Sequence, residues 1–144
     1  MLIVLSITVL LIIVVVGIHL KVLMAIPKLL SRLSISDYFK VTVGILILIF
    51  THVIEIWIFA VVMFFLGQSG NFGALKSNSQ CGFFDYVYFS YVNYTTVGFG
   101  DYVPIGHVRF ITGIESLLGI LLVTCSASFA FIMMNKFWER QNKK

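Results

Sequence analysis

Three long apolar runs constrain what this chain can fold into more than any other feature. They extend from Leu2 to about Ile26, from Val41 to Leu66 and from about Val108 to Met134. A helix needs about 20 residues to cross the hydrocarbon core of a bilayer, so each run is long enough to span it. Only 11% of the 144 residues are charged, against roughly a quarter in soluble domains. These features predict an all-α membrane protein with three transmembrane helices.

The basic residues lie next to the apolar runs, which explains the net charge of +4 without an acidic partner. By the positive-inside rule, the segment around Lys28, Arg32 and Lys40 and the tail after Lys136 face the cytoplasm. We therefore expect a multi-pass protein of the plasma (inner) membrane, with the amino terminus outside and the carboxyl terminus cytoplasmic. Membrane lipid is its expected environment, and neither nucleic acid nor a soluble protein is an expected partner.

Residues 1–40 are predicted to form a separate unit: an extra transmembrane helix and a cytoplasmic connector. The first run has neither a basic leading region nor a small-residue cleavage site, so we expect it to be retained as a helix. Pro27 is predicted to break the helix or to begin a new one, and the leucines and basic residues after it predict a short interfacial helix. His19, near the end of the first run, is predicted to lie at the membrane interface.

A polar, glycine-rich loop separates the second and third spans. The apolar run Phe83 to Tyr94 before it is too short to span, and Asp85 can cap its amino end. These features predict a re-entrant helix whose carboxyl end, with its negative dipole, points toward the bilayer centre. Non-helical backbone at this depth in the membrane must be buried in protein or line a water-filled path. Glycines let consecutive carbonyls turn to one side, where they can replace the water around a cation.

The sequence TTVGFGD, residues 95–101, resembles the selectivity filter of potassium channels, for which TVGYG is a closely similar form. The resemblance covers about residues 41–135 and is to small bacterial-type channels with a two-transmembrane pore, here with one extra helix in front. It implies a homotetramer, because four such loops surround one axis in that family. It also implies a pore domain at 41–137, divided into outer helix 41–66, turret 67–82, pore helix 83–95, filter 96–101 and inner helix 107–137. The linker-like composition of residues 67–82 and the predicted topology indicate that this turret is mobile and extracellular.

The resemblance gives roles to individual residues of the loop. The expected K+ sites are formed by Thr96, Val97, Gly98, Phe99 and Gly100. The Thr96 hydroxyl would add to the carbonyl ladder, Gly100 would complete the turn, and Asp101 would gather cations at the outer mouth. Phe99 stands where the related motif has tyrosine, so it lacks a hydroxyl. We expect a K+-selective channel that conducts passively, with no organic cofactor and no enzymatic activity.

Four residues of the third span are candidates for the pore lining or the gate. Gly119 falls where the resemblance implies a hinge glycine, and Val123, Ala127 and Phe131 follow at four-residue spacing on one helix face. Four copies of Phe131 would form a hydrophobic constriction that gates by dewetting. The alternatives are that Gly119 only allows close helix packing and that Phe131 packs against a neighbouring helix.

Three ionisable residues fall inside the second and third spans, where an isolated charge costs at least ~2.5 kcal/mol. His52 and Glu55 are three residues apart and share a helix face, and Glu115 lies at a similar expected depth. We predict that they form a buried polar cluster behind the filter that braces the pore helix. Glu115 is expected to bond Tyr91, Thr95 or a group of the second span. The alternative is a helix-to-helix hydrogen bond with no effect on conduction.

Two other classes of function stay open at this point. One is a cation transporter component with filter-like loops, although such proteins usually carry several loops in one chain and this chain has one. The other is a non-conducting or regulatory membrane subunit that assembles with other channels. No span carries basic residues at every third position, so an arginine-rich voltage sensor is not predicted.

Overall fold

The computed structural model describes residues 1–77 and 81–141 and confirms the mostly helical fold, with three spans and a short helix between the second and third. Residues 78–80 of the predicted turret and 142–144 of the predicted cytoplasmic tail lie outside the described residues. The elements in chain order are α1 (Leu2–Ser31), α2 (Asp37–Gln68), β1 (Leu75–Lys76), α3 (Phe83–Tyr94), β2 (Val103–Pro104) and α4 (Val108–Gln141). The helices α1, α2 and α4 are each long and apolar enough to cross a membrane.

The three long helices pack as a bundle, and α3 contacts both α2 and α4. Val4 at the start of α1 lies in one buried cluster with Val108 at the start of α4. Leu30 at the end of α1 packs with Met133 near the end of α4 in a second cluster. The helices α1 and α4 therefore run in the same direction, and the amino terminus is on the side of the bundle from which α4 begins.

The helix α1 continues through Pro27 to Ser31, so the predicted helix break and the separate interfacial helix are wrong. The two residues that flank this proline on the inner face, Ile26 and Leu30, are buried against α2 and α4. Proline removes one backbone hydrogen bond and is tolerated in membrane helices where packing and neighbouring groups compensate. Packing of the flanking side chains therefore keeps the helix continuous.

A short antiparallel pair of strands joins the segment before α3 to the segment after the glycine-rich loop. Leu75 pairs with Pro104 in this sheet, and Leu75 is buried. Next to these strands the backbone at Gly73 is in close contact with the backbone at Gly106, and both glycines have positive φ. A Cβ on Gly73 would overlap the carbonyl oxygen of Ile105. This part of the predicted mobile turret is therefore packed against the chain that follows the loop.

Candidate functional site

The helix α3 begins at a capping interaction that also reaches the chain after the loop. The backbone N–H of Gly82 donates to Asp85 Oδ2 at 2.7 Å, as predicted for an amino-terminal cap. The Tyr102 hydroxyl donates to Asp85 Oδ1, also at 2.7 Å. This second bond lowers the pKa of the Asp85 carboxyl below its ordinary value of 3.8 and raises the pKa of Tyr102 to about 12.

The backbone N–H groups of the loop point back toward the carboxyl end of α3. The N–H groups of Val97 and Gly98 are both directed at the carbonyl oxygen of Val92, at 3.0 and 3.4 Å. The peptide bonds here are trans, and in a planar trans peptide the C=O points opposite to the N–H. The carbonyls that share these two peptides, those of Thr96 and Val97, therefore face away from α3.

The sign of φ alternates along the same loop. It is positive at Thr96 (59°), Gly98 (60°) and Gly100 (82°), and it is not positive at Val97 or Phe99. Alternation of this kind turns successive N–H groups to one side of the chain and leaves the carbonyls on the other. The cost for a non-glycine residue such as Thr96 is of order 1–3 kcal/mol, so the arrangement is one that the surrounding structure must impose.

The loop lies on the surface of the single chain, directly after a buried tyrosine. Tyr94 is 1% exposed, whereas Val97 and Phe99 are 56% and 69% exposed. Asp101 is exposed as well, and its Oδ1 accepts a hydrogen bond from the backbone N–H of Tyr102 at 3.2 Å. Irregular backbone at membrane depth cannot face lipid. The surface formed by residues 95–101 therefore requires other protein or water around it.

Behind the loop, one hydrogen-bond network joins all four helices at Glu55. His19 Nδ1 lies 2.9 Å from Glu55 Oε1, and His52 Nδ1 lies 3.0 Å from Oε2. The Tyr94 hydroxyl donates to Oε2 at 2.6 Å. Ser126 Oγ on α4 lies 2.9 Å from His52 Nε2. The predicted contact between His52 and Glu55 on one face of α2 is thus present. The same network also includes residues of α1, α3 and α4.

His19 is fully buried, so its predicted place at the membrane interface is wrong. Because α1 continues to Ser31, His19 lies inside the helix rather than near its end. Glu55 supplies a hydrogen-bond partner at that depth, which an ionisable side chain there requires. The sequence signal that was available is that α1 and α2 each carry a histidine well inside an apolar run.

Glu115 bonds to α3 through a residue that the sequence analysis did not name. Asn93 Nδ2 donates to Glu115 Oε2 at 2.8 Å, and the Ser116 hydroxyl donates to Asn93 Oδ1 at 2.9 Å. The predicted partners Tyr91, Thr95 and a group of the second span are wrong, and among the described residues no hydrogen bond joins Glu115 to His52 or Glu55. The Thr95 hydroxyl donates instead to the Tyr91 carbonyl at 2.7 Å. Thr95 follows the last residue of α3, and its hydroxyl bonds within its own turn.

The four inner-helix candidates fall into two groups. Gly119 is buried, and a Cβ there would overlap the carbonyl oxygen of Tyr94. This contact lets α4 approach the end of α3, which is what the helix-packing alternative requires. Val123, Ala127 and Phe131 are exposed on the single chain, and Phe131 is 59% exposed.

A family model described as an ion channel matches residues 51–136, which is more than half of the chain. The chain belongs to the ion channel family. The matched range contains α3, the glycine-rich loop and most of α4. No curated protein and no solved structure matches the chain. Membership confirms the predicted channel character of this membrane protein, which is not an enzyme, and makes permeant ions its expected ligands.

Proposed function

We propose that this channel selects K+ and conducts it passively through a filter formed by residues 96–100. The observation that carries the proposal is that the N–H groups of Val97 and Gly98 bond to one carbonyl oxygen of α3. The carbonyls of the preceding residues face the opposite side, where they can replace the water around a dehydrated cation. The carboxyl end of α3, with the negative end of its dipole, lies behind them and favours positive charge.

A homotetramer is the assembly that suits this loop. One chain supplies one row of carbonyls, whereas a filter of this type encloses the ion with four. Val97 and Phe99 are more than half exposed on the single chain, and four chains around an axis would cover them with protein and water. In that arrangement Gly100 completes the turn and Asp101 gathers cations at the outer mouth.

The proposed pore unit is residues 41–137, and we propose that Val123, Ala127 and Phe131 of α4 line its inner part. The amino terminus lies on the side from which α4 begins, as an outside amino terminus requires. Lys40 and Lys136 line a single cavity at the opposite end. That clustering of basic residues supports a cytoplasmic location for this end in the plasma (inner) membrane.

Ion flux into vesicles that contain the purified full-length protein alone tests the proposal. We expect K+ and Rb+ to pass at least about tenfold faster than Na+, because the carbonyl sites replace the hydration shell of the larger ions. Equal rates for Na+ and K+ would overturn the selectivity. Intact tetramers that pass neither ion would favour the alternative of a non-conducting subunit.

The variant Gly98→Ala tests the placement of the filter. Gly98 has a φ of +60°, and a Cβ in that conformation costs about 1–2 kcal/mol in each subunit. We expect K+ flux to be lost. Gly70→Ala is the matched control, because Gly70 in the turret has a φ of +70° and equally open surroundings. Gly70→Ala should introduce the same backbone strain but leave the K+ flux unaltered. Equal flux in the two variants would contradict the placement of the filter at residues 96–100.

A further inference from the structure

Three atoms that can bind a metal ion meet between α1 and α2. His19, His52 and Glu55 each offer one ligand atom, a ring nitrogen or a carboxylate oxygen, and these three atoms lie within 4.8 Å of one another. His19 and Glu55 are fully buried, and the His52 side chain is 16% exposed. One edge of the cluster therefore reaches the surface of the single chain.

We propose that His19, His52 and Glu55 bind one divalent transition-metal ion of the zinc class. Two imidazole nitrogens and one carboxylate are a ligand set of zinc sites that keep a fourth position. Tetrahedral zinc with bonds of about 2.0–2.1 Å separates its ligand atoms by about 3.3 Å. His19 Nδ1 now lies 2.9 Å from Glu55 Oε1 and His52 Nδ1 lies 3.0 Å from Oε2, which is close to that separation.

Ser126 is placed to support both histidines in the metal-bound form. Its Oγ lies 2.9 Å from His52 Nε2 and 3.4 Å from His19 Nε2. A neutral histidine that binds metal through Nδ1 carries its proton on Nε2, and a hydroxyl oxygen has two lone pairs to accept both. Without metal, two neutral rings that donate from Nδ1 to Glu55 would offer two Nε2 acceptors to one serine hydrogen.

An extra proton, on one histidine or on Glu55, is another way to complete this network. A doubly protonated ring donates from both nitrogens, so Ser126 could accept from one ring and donate to the other. In the first explanation the cluster binds a metal ion, and in the second it binds a proton. The experiment must therefore measure metal directly.

Tyr94 connects the cluster to the proposed filter. Its hydroxyl lies 3.0 Å from His52 Nδ1 and 2.6 Å from Glu55 Oε2. Tyr94 is the last residue of α3, and Thr96 follows two residues later. An ion in the cluster would hold the end of α3 against α1 and α2. This effect on the filter rests on the proposed function, whereas binding of the ion does not.

Titration of the purified full-length protein with Co2+ tests the binding. Co2+ takes the same ligands as Zn2+, and its visible absorption reports tetrahedral coordination. We expect about one Co2+ per chain, displaced by Zn2+, and binding at least about tenfold weaker in His19→Ala and in His52→Ala. His107→Ala is the matched control, because it removes the third of the three histidines and lies outside the cluster. It should bind as the unaltered protein does.

Absence of tetrahedral absorption in the unaltered protein would overturn the proposal, as would an equal loss of binding in His107→Ala. If a cluster variant fails to fold, heat stability of the unaltered protein decides. Zn2+ should raise the midpoint temperature of its thermal unfolding, and a chelator should reverse the rise. A midpoint temperature that responds to pH but not to Zn2+ would show that the cluster binds a proton instead of a metal ion. K+ flux is measured separately on the same samples, so loss of flux with intact binding bears on the proposed function alone.

Discussion

Glu115 illustrates how a single carboxyl group can brace the helix before the loop. Its Oε2 accepts from Asn93, and its Oε1 is buried next to the Ser90 hydroxyl. A buried polar group left unpaired costs about 1–3 kcal/mol. Asn93 also donates to the Thr112 carbonyl at 2.9 Å, so this one amide holds α3 to α4 at two points.

Glu115→Gln and Glu115→Leu should therefore differ. Glutamine keeps an acceptor for Asn93 and places its N–H donors toward the Ser90 hydroxyl, so we expect little change. Leucine removes the acceptor, and we expect the proposed tetramer to lose about 1–3 kcal/mol per chain and K+ over Na+ selectivity to fall. Heat-induced dissociation and vesicle flux are the measurements. A leucine variant with unaltered heat stability, flux and selectivity would show that the bond has no bracing role.

At the level of elements, the tie between α3 and the chain after the loop depends on pH. The pKa of Asp85 is lowered in the folded chain, first by the hydrogen bond from Tyr102 and then by the Gly82 N–H. Its stabilising effect is present above the ordinary value of 3.8 and is lost as pH falls below it. The pKa of Tyr102 is raised from 10.0 to about 12, so its contribution is present below pH 10.0 and is lost as pH rises toward 12.

Tyr102→Phe removes this tie while it keeps the ring. We expect the variant to be less heat-stable than the unaltered protein at neutral pH, with the difference shrinking below pH 3.8 and above pH 10.0. Tyr38→Phe is the control, because Tyr38 is 65% exposed at the start of α2. The measurement is heat stability across a range of pH. A difference between Tyr102→Phe and the unaltered protein that stays constant from acid to alkaline pH would contradict a stabilising hydrogen bond between Tyr102 and Asp85.

The close approach of α4 to the end of α3 gives a second test at this scale. Gly119→Ala places a methyl group against the Tyr94 carbonyl oxygen, and such overpacking costs about 1–3 kcal/mol. Gly113→Ala is the matched control, because Gly113 lies on the same helix with open space around it. We expect lower heat stability and lower flux only in Gly119→Ala. Unaltered stability with altered opening would favour a hinge instead.

Apolar run length predicts the helices well, because crossing a bilayer fixes a minimum length and excludes charge. The Asp85 cap was predictable for a similar local reason. What the sequence does not contain is which helices become neighbours: Tyr102 reaches Asp85 only because the strands bring the chain back, and His19 finds Glu55 only because α1 packs beside α2. A polar residue inside a span indicates that a partner exists but does not identify it.

For the whole molecule, the three spans leave a large apolar surface on the single chain. In the most apolar windows of the three spans, only 28%, 33% and 22% of the residues are buried inside the chain. The remainder must face lipid or other subunits. The loop at residues 95–101 and the exposed face of α4 that carries Val123, Ala127 and Phe131 lie on this surface, and they are the parts that we propose to face the axis of a tetramer.

Phe131→Ala tests where that axis lies. If four phenylalanines meet near the cytoplasmic end, their removal widens a constriction that excludes water, and we expect basal K+ flux to rise. Ile132→Ala is the matched control, because Ile132 is similarly exposed (52% against 59%) and is rotated by about 100° around the same helix. It should leave basal flux unaltered.

Labelling of a cysteine at position 131 provides the independent measurement. The chain has two cysteines, Cys81 and Cys125, and Cys125 is exposed, so both are first replaced by serine in a variant that still conducts. In that background we expect Phe131→Cys to react with aqueous thiol reagents when the channel is open and to lose flux as it does so. The reagent reaches the side chain only through water, since a lipid-facing or helix-packed thiol is shielded from it. A cysteine that stays unlabelled in conducting channels, together with equal basal flux in Phe131→Ala and Ile132→Ala, would place Phe131 against a neighbouring helix and move the gate elsewhere on α4.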